Sequence, residues 1–211
     1  MDANTGVVVG AAGTILKTTD GGSHWQPQTS GTATFLFGVS FSDVNNGTAV
    51  GNGGTILRTT NGGSSWDPQT SGITVALHGV AFRDANTGTA VGNNGVILRT
   101  TDGGNHWGSQ TSNTTDHLWD VAFSDTNNGT AVGEGGTIVR TTDGGSNWSV
   151  DFSGTFNILY DVSFTDANTG TVVGDIGTIL RTTGSGPSPT PTPRATPTPR
   201  PRPTPRERPT A

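Results

Sequence analysis

The sequence predicts an all-β fold, a β-propeller, and three observations lead there. The first is a 41-residue period. Trp25, Trp66, Trp107 and Trp148 are each 41 residues apart, as are Gly10, Gly51, Gly92, Gly133 and Gly174, and Asp2, Asp43, Asp84, Asp125 and Asp166. No copy carries an insertion, and the period falls within the range of one four-stranded propeller blade. The second is 33 glycines in 211 residues with no helical apolar period, a combination that excludes a helical protein. The third is turn chemistry: Asn, Asp and Gly recur wherever the chain must reverse, and these residues tolerate the left-handed conformations of tight hairpins.

The elements follow in order within each unit. In the third, "LHGVAF" (77–82) predicts an innermost strand and "RDANTG" a turn. "GTAVG" (88–92) predicts the second strand, "NNG" a turn, "VILRTT" (96–101) the third strand, "DGG" a turn and "HWGSQT" (106–111) the outer strand. Successive apolar residues such as Ile97 and Leu98 suit a strand covered on both faces, as blades are by their neighbours. Innermost-type segments occur four times, near Leu36, Leu77, Leu118 and Leu159, whereas second-strand segments occur five times. The expectation is about five 41-residue blades, partial at both ends. Three arrangements satisfy it: a small five-bladed ring lacking edge strands, two chains that complete each other, or a piece of a larger propeller. Unpaired edges invite pairing, so closure or self-association through the unfinished end blades is expected.

Composition removes several function classes. The chain has no cysteine and one methionine, so no disulfide framework supports it. No apolar run approaches the roughly 18 residues of a membrane span, and the start "MDANTG" shows no secretory signal. Residues 1–183 carry six Lys/Arg against fifteen Asp/Glu, a net −9, which argues against nucleic acid as a partner. Residues 184–211 carry five Arg against Glu207, a net +4, and 10 of the 12 prolines. That composition predicts a disordered, extended Pro/Thr/Arg-rich tail: a spacer, a proline-rich ligand or a tether to anionic polymers.

One string recurs four times in full: "TILKTTDGGSHW", "TILRTTNGGSSW", "VILRTTDGGNHW" and "TIVRTTDGGSNW". Its Asp or Asn (Asp20, Asn61, Asp102, Asp143) and Trp (Trp25, Trp66, Trp107, Trp148) have the spacing of the Asp-box, the bacterial neuraminidase repeat. An Asp at a tight turn accepts backbone N–H groups, glycines supply positive φ, and Trp covers the hairpin. Asn61 keeps the acceptor but could not replace a catalytic acid, so the motif is a structural fastener. Across residues 2–183 the unit "LHGVAFRDANTGTAVGNNGVILRTTDGGNHW" resembles the repeat of the photosystem II stability/assembly factor family. The resemblance implies a propeller that binds a protein client during assembly, outside the cytoplasm or at the cell surface, without catalysis or cofactor.

Positions that vary between units are free to specialise. Phe37, His78, Trp119 and Tyr160 are spaced by 41, each after a fixed leucine, and are followed by Gly38, Gly79, Asp120 and Asp161. They belong at the mouth of the central channel, bordered by the turn pairs Asn52-Gly53, Asn93-Asn94, Glu134-Gly135 and Asp175-Ile176. Two readings stand: stacking on a peptide or sugar, or plugging the channel as core. A basic set, Lys17, Arg58, Arg99, Arg140 and Arg181, repeats in every unit on the opposite side. It could bind acidic partners, as the resembled family is thought to do with arginines, or pair structurally with Asp43, Asp84, Asp125 and Asp166.

The "DANTG" and "DTNNG" turns have calcium-loop spacing but lack the bidentate Glu, so no metal is expected. For an enzyme the acids are few: Glu134 is the only glutamate before the tail, most aspartates belong to repeat turns, and Asp116, Asp120 and Asp161 are the ones that could still make an acidic site. Tyr160 is the only tyrosine and Arg83 the only arginine of residues 1–183 outside the repeated position. The sequence thus points to a non-catalytic scaffold for a protein client, with a carbohydrate-binding surface module and then a purely structural repeat as alternatives.

Overall fold

Each unit forms one antiparallel meander, and the computed structural model describes residues 3–183 with Thr190 and Pro191. Among these residues there are five sheets. The first contains β1 (Gly6–Val9), β2 (Ile15–Thr18) and β3 (Gln26–Gln28). The second contains β4 (Leu36–Phe41), β5 (Gly47–Gly51), β6 (Ile56–Thr59) and β7 (Asp67–Gln69), and the third β8 (Leu77–Phe82), β9 (Gly88–Gly92), β10 (Ile97–Thr100) and β11 (Gly108–Gln110). The fourth contains β12 (Leu118–Phe123), β13 (Gly129–Gly133), β14 (Thr137–Thr141) and β15 (Ser149–Phe152). The fifth contains β16 (Leu159–Asp166), β17 (Thr169–Gly174), β18 (Thr178–Thr183) and β19 (Thr190–Pro191).

Strands pair in sequence order, so each sheet is one blade. Among the described residues the first blade has three strands, equivalent to the second, third and outer strands of the others. The last takes its fourth strand from the proline-rich segment, through Leu180↔Pro191 and Arg181↔Thr190. The rest of the expected tail lies outside the described residues. No helix among the described residues is long and apolar enough to cross a membrane.

Blades stack through one recurring seam. Val50 and Ile56 of the second blade pack on Leu77, Val80, Ala90 and Leu98 of the third. Val91 and Ile97 meet Leu118, Val121, Ala131 and Val139 in the same way, and Val132 and Ile138 meet Leu159, Val162, Val172 and Leu180. This two-sided cover explains the absence of period-2 alternation: β5, β9 and β13 are buried at every residue. Truncating a buried seam residue such as Leu98 to Ala carries a cost of about 2–5 kcal/mol.

The Asp-box fastens the outer hairpin as its chemistry requires. The Thr100 hydroxyl donates to Asp102 Oδ1 at 2.9 Å and accepts the Gly104 N–H at 2.9 Å, and Asp102 Oδ1 accepts the His106 N–H at 2.9 Å. Asn61 Oδ1 accepts from the Thr59 hydroxyl (2.9 Å) and the Ser65 N–H (3.0 Å), so the substituted copy keeps both bonds. The two box glycines sit at positive φ, +72° and +93° in the third blade. The box Trp meets a Phe of its own blade edge-on: Phe41–Trp66 and Phe82–Trp107 at 6.0 Å, Phe123–Trp148 at 6.2 Å.

The turn between second and third strands is left-handed at one position in every blade, whatever residue occupies it. Ala12, Gly53, Asn94, Gly135 and Ile176 have φ of +52°, +65°, +58°, +60° and +55°. Ile176, β-branched, carries the largest strain of the five. The next residue, Gly95 in the third blade, is positive too, and a Cβ there would overlap the Thr114 carbonyl oxygen.

These turns give graded expectations for urea unfolding. Gly53→Ala, with nothing within 4 Å of the new Cβ, should lose about 1–2 kcal/mol from backbone strain alone. Gly95→Ala should lose more than Gly53→Ala, because overlap adds to the strain. Ile176→Gly should gain about 1 kcal/mol. Equal losses at Gly53 and Gly95 would show that the Thr114 loop yields freely.

Candidate functional site

The mouth of the propeller is built by a β-bulge where the chain enters each innermost strand. In β8, Leu77 pairs with Gly92 and Gly79 with Val91, so His78 is the extra residue. Phe37, Trp119 and Tyr160 are the extra residues of β4, β12 and β16. A bulge takes one residue out of the ladder and re-aims its side chain. A backbone bond pins each: the Asn93 N–H donates to the Ala76 carbonyl at 3.0 Å, with equivalents from Asn52 to Phe35 (2.9 Å), Glu134 to His117 (2.9 Å) and Asp175 to Ile158 (2.8 Å). A Cβ on Gly92 would overlap that carbonyl, which accounts for the repeated glycine there.

The four bulged rings form a row. Ring centroids lie 5.0 Å apart for Phe37–His78, 4.4 Å for His78–Trp119 and 6.3 Å for Trp119–Tyr160. Phe37 and Tyr160 are exposed at the ends, while His78 and Trp119 are half-buried between them. Both sequence readings thus find a counterpart, packed rings at the centre and open rings at the ends. His78 Nε2 lies 2.7 Å from Asn93 Oδ1, and burial lowers its pKa, so the ring is neutral near pH 7. The Tyr160 hydroxyl bonds to Asp175, which pushes the phenol's ionisation upward. The Trp119 Nε1 is buried without a hydrogen-bond partner, a state that costs about 1–3 kcal/mol.

Two further rings join the row that sequence reasoning did not select. Phe35 stacks on Phe37 at 6.5 Å and His117 meets Trp119 edge-on at 6.3 Å. The signal was present: Phe35, Ala76, His117 and Ile158 are also spaced by 41 and also vary.

Asp120 and Asp161 occupy the position after the ring, which faces the next innermost strand. The strands approach closely there: a Cβ on Gly38 would lie 2.6 Å from the His78 carbonyl oxygen, and one on Gly79 2.8 Å from the Asp120 Cα. Asp120 consequently points into the seam, where its Oδ2 accepts the Val162 N–H at 3.1 Å. Burial pushes its carboxyl up to about 7, and Asp161 adds in the same direction against the Val162 bond. Asp161 is exposed.

The basic set lies on the far side, and two of its members, Arg58 and Arg99, cross between blades. Arg58 Nη1 donates to Asn105 Oδ1 at 2.8 Å, and Arg99 Nε to the Gly144 carbonyl at 3.0 Å, each in the Asp-box turn of the next blade. Arg140 pairs with Asp151 of its own outer strand at 3.3 Å. The expected partners cap their own turns instead: Asp84 Oδ1 accepts the Asn86 and Thr87 N–H groups at 2.7 Å, and Asp43 and Asp125 do the same. Arg83 also crosses, donating to the Thr126 carbonyl and lying over the Phe123 ring at 5.5 Å. Among the described residues no group of three His, Cys, Asp or Glu is placed to hold a metal.

Five antiparallel blades, a turn box in the outer hairpin of each of the first four and a ringed mouth define a BNR-type β-propeller. The family model for the photosynthesis system II assembly factor YCF48 matches residues 1–67 and 29–107, which together span about half of the chain. The chain belongs to that family. No curated protein matches it. Among solved structures it is similar to a YCF48 bound to a D1 peptide, with 21% identity, TM-score 0.50, and coverage of 90% of this chain and 77% of that one. It is also similar to YCF48 from Cyanidioschyzon merolae, with 23% identity, TM-score 0.69, and coverage of 86% and 66%. An ancestral GH74 enzyme shares the fold at 16% identity and TM-score 0.68, and this chain spans 29% of it.

Asp120 gives the site a pH signature. Its folded pKa, about 7, lies above the ordinary carboxylate value of 3.8, so the folded state holds an extra proton between the two. Stability should therefore fall as pH rises from about 4 to about 7 and stay lower above. Asp120→Asn keeps an acceptor for Val162 and should remove that slope. Thermal melts at pH 4.5 and pH 8 would show wild type losing several degrees that the variant retains; parallel profiles would mean that Asp120 is ionised in the fold.

Proposed function

We propose that this protein is a non-catalytic scaffold that binds an extended segment of a protein client across the ring row. The observation that carries the reading is the row itself, four rings 4.4–6.3 Å apart on four adjacent innermost strands. An extended peptide rises about 3.3 Å per residue, so alternate side chains recur at roughly twice that distance, close to the wider ring spacings. Family membership supports the same class of ligand, as does the YCF48 structure that holds a D1 peptide. The far-side arginines fit less well, because Arg58 and Arg99 are engaged by neighbouring turns.

A glycan is the second reading, since sugars also stack on exposed aromatic rings. The side chain of Asp120 disfavours it: the acid next to Trp119 is turned into the seam instead of standing beside the ring to take hydroxyl groups. The likeness to the GH74 enzyme extends to fold alone.

Peptide-library selection run beside an oligosaccharide array separates these readings. Extended apolar or aromatic peptides should bind wild type, and Trp119→Ala/Tyr160→Ala should bind them at least tenfold more weakly while unfolding at a similar urea midpoint. Unchanged peptide affinity in the double variant would remove the ring row from the proposal. Binding competed only by oligosaccharide would replace the client with a glycan.

A further inference from the structure

The mouth is charged at one end only. Asp116, Glu134, Asp161 and Asp175 border the Trp119–Tyr160 half of the ring row, while the segments around Phe35 and Phe37 (29–39 and 52–55) hold no charged residue. A Cβ on Gly135 would lie 3.8 Å from Asp116 Oδ2, the oxygen that takes the Thr137 hydroxyl at 2.5 Å. Glu134 acts electrostatically on both His78 and Tyr160, and Asp175 accepts the Tyr160 hydroxyl. Asp161 is the exposed neighbour of the inward-turned Asp120. The six Lys and Arg of residues 1–183 all belong to the far side. Among the described residues, nothing cationic at the mouth offsets its acidic end.

The complement is in the same chain, and the fold aims it there. β19 runs antiparallel to β18, with Thr190 opposite Arg181 and Pro191 opposite Leu180. The residue after Pro191 therefore heads toward Thr178 and the Asp175–Gly177 turn, whose Asp175 N–H is bonded to Ile158 beside the ring row. Residues 192–211 lie outside the described residues. Their sequence holds seven prolines, and five arginines against Glu207, a net +4. Three spacings of about 4.8 Å separate an outer strand from an innermost one. Twenty residues of proline-rich chain span about 60 Å, enough to cover that gap and the whole row.

We infer that residues 192–211 are a ligand of this chain's own mouth, lying along the ring row from Tyr160 toward Phe37 with their arginines on Asp116, Glu134, Asp161 and Asp175. The inference rests on the ring row being a peptide site. Proline-rich segments dock in aromatic-lined grooves because their extended form is preset and little ordering is needed. Arginine adds charge-assisted bonds to the carboxylates. A short flexible tether gives an effective concentration of about 1 mM, so an intrinsic Kd of about 0.1 mM would fill the mouth roughly ten to one. A client would then have to displace the segment.

The test compares the full chain with a full-length variant carrying Arg194→Ser and the same change at Arg200, Arg202, Arg206 and Arg208. None of these positions is among the described residues, and equal urea midpoints check the fold. Two probes are titrated by fluorescence anisotropy: a labelled synthetic peptide of residues 192–211, and an uncharged apolar peptide from the library selection. The variant should bind both, and wild type both about tenfold more weakly, a gap that narrows as salt rises from about 50 to about 500 mM. Glu134→Gln/Asp175→Asn in the otherwise unchanged chain should bind the uncharged peptide as tightly as the tail variant does. Equal affinity of wild type and tail variant for the uncharged peptide overturns the inference and leaves the ring-row reading standing. A labelled tail peptide that binds neither chain overturns it as well. Wild-type dimers that the tail variant does not form would seat the segment on a neighbouring copy and overturn the intrachain arrangement. If no peptide binds either chain, the ring-row reading fails and this inference fails with it.

Discussion

A propeller blade cannot stabilise itself, because a four-stranded sheet with apolar residues on both faces has no interior of its own. In this chain the requirement is met by a seam in which a Val and an Ile of one blade enter a Leu-, Val- and Ala-lined surface on the next. Everything else is arranged so that this contact can repeat. The Asp-box holds the outer hairpin at a constant shape, the Trp–Phe edge contacts fix the outer strands against the innermost one, and the tight left-handed turns keep every unit the same length.

The ring row is a by-product of that regularity put to use. Innermost strands must approach closely at the mouth, so the residue after each bulge is held to Gly or to an Asp that can bridge to the neighbouring strand. The bulged residue just before it is released from the ladder and is therefore free to vary. A fixed backbone device thus presents four different rings in a line. The arginines show the opposite outcome of repetition. The side chains of Arg58 and Arg99 reach the neighbouring turn and are engaged there, which makes these two part of the stacking instead of an open cationic surface.

Much of this was legible in the sequence because the repeat acts as an internal alignment. The period, the strand order within a unit and the Asp-box bonds followed from spacing and turn chemistry, and Asn61 behaves as its side-chain oxygen suggested. The ring positions were legible for the same reason. What the sequence concealed was direction. Nothing in the string "LWDVAF" says that Asp120 turns into the seam while Trp119 turns out, since that depends on a one-residue bulge. Arg58 and Asp84 recur on the same side, and only the structure shows that Asp84 caps its own turn while Arg58 crosses to another blade. Thr190 and Pro191 joining the last sheet was equally hidden, because proline-rich composition argues against a strand.

The sameness of the seams has a consequence for how the chain folds. Since each Val/Ile half fits every Leu/Ala half, the second blade is chemically as good a partner for the fourth as for the third. Surface complementarity therefore carries almost no information about blade order. That information resides in the connections: residues 70–76 are all that separate β7 from β8, and so short a tether holds the correct neighbour at an effective concentration on the order of millimolar or above. Misassembly between non-adjacent units is a characteristic hazard of repeat proteins. Here the leash sorts the blades while their faces do not, and lengthening one loop would loosen the order of the array without touching a single contact in it.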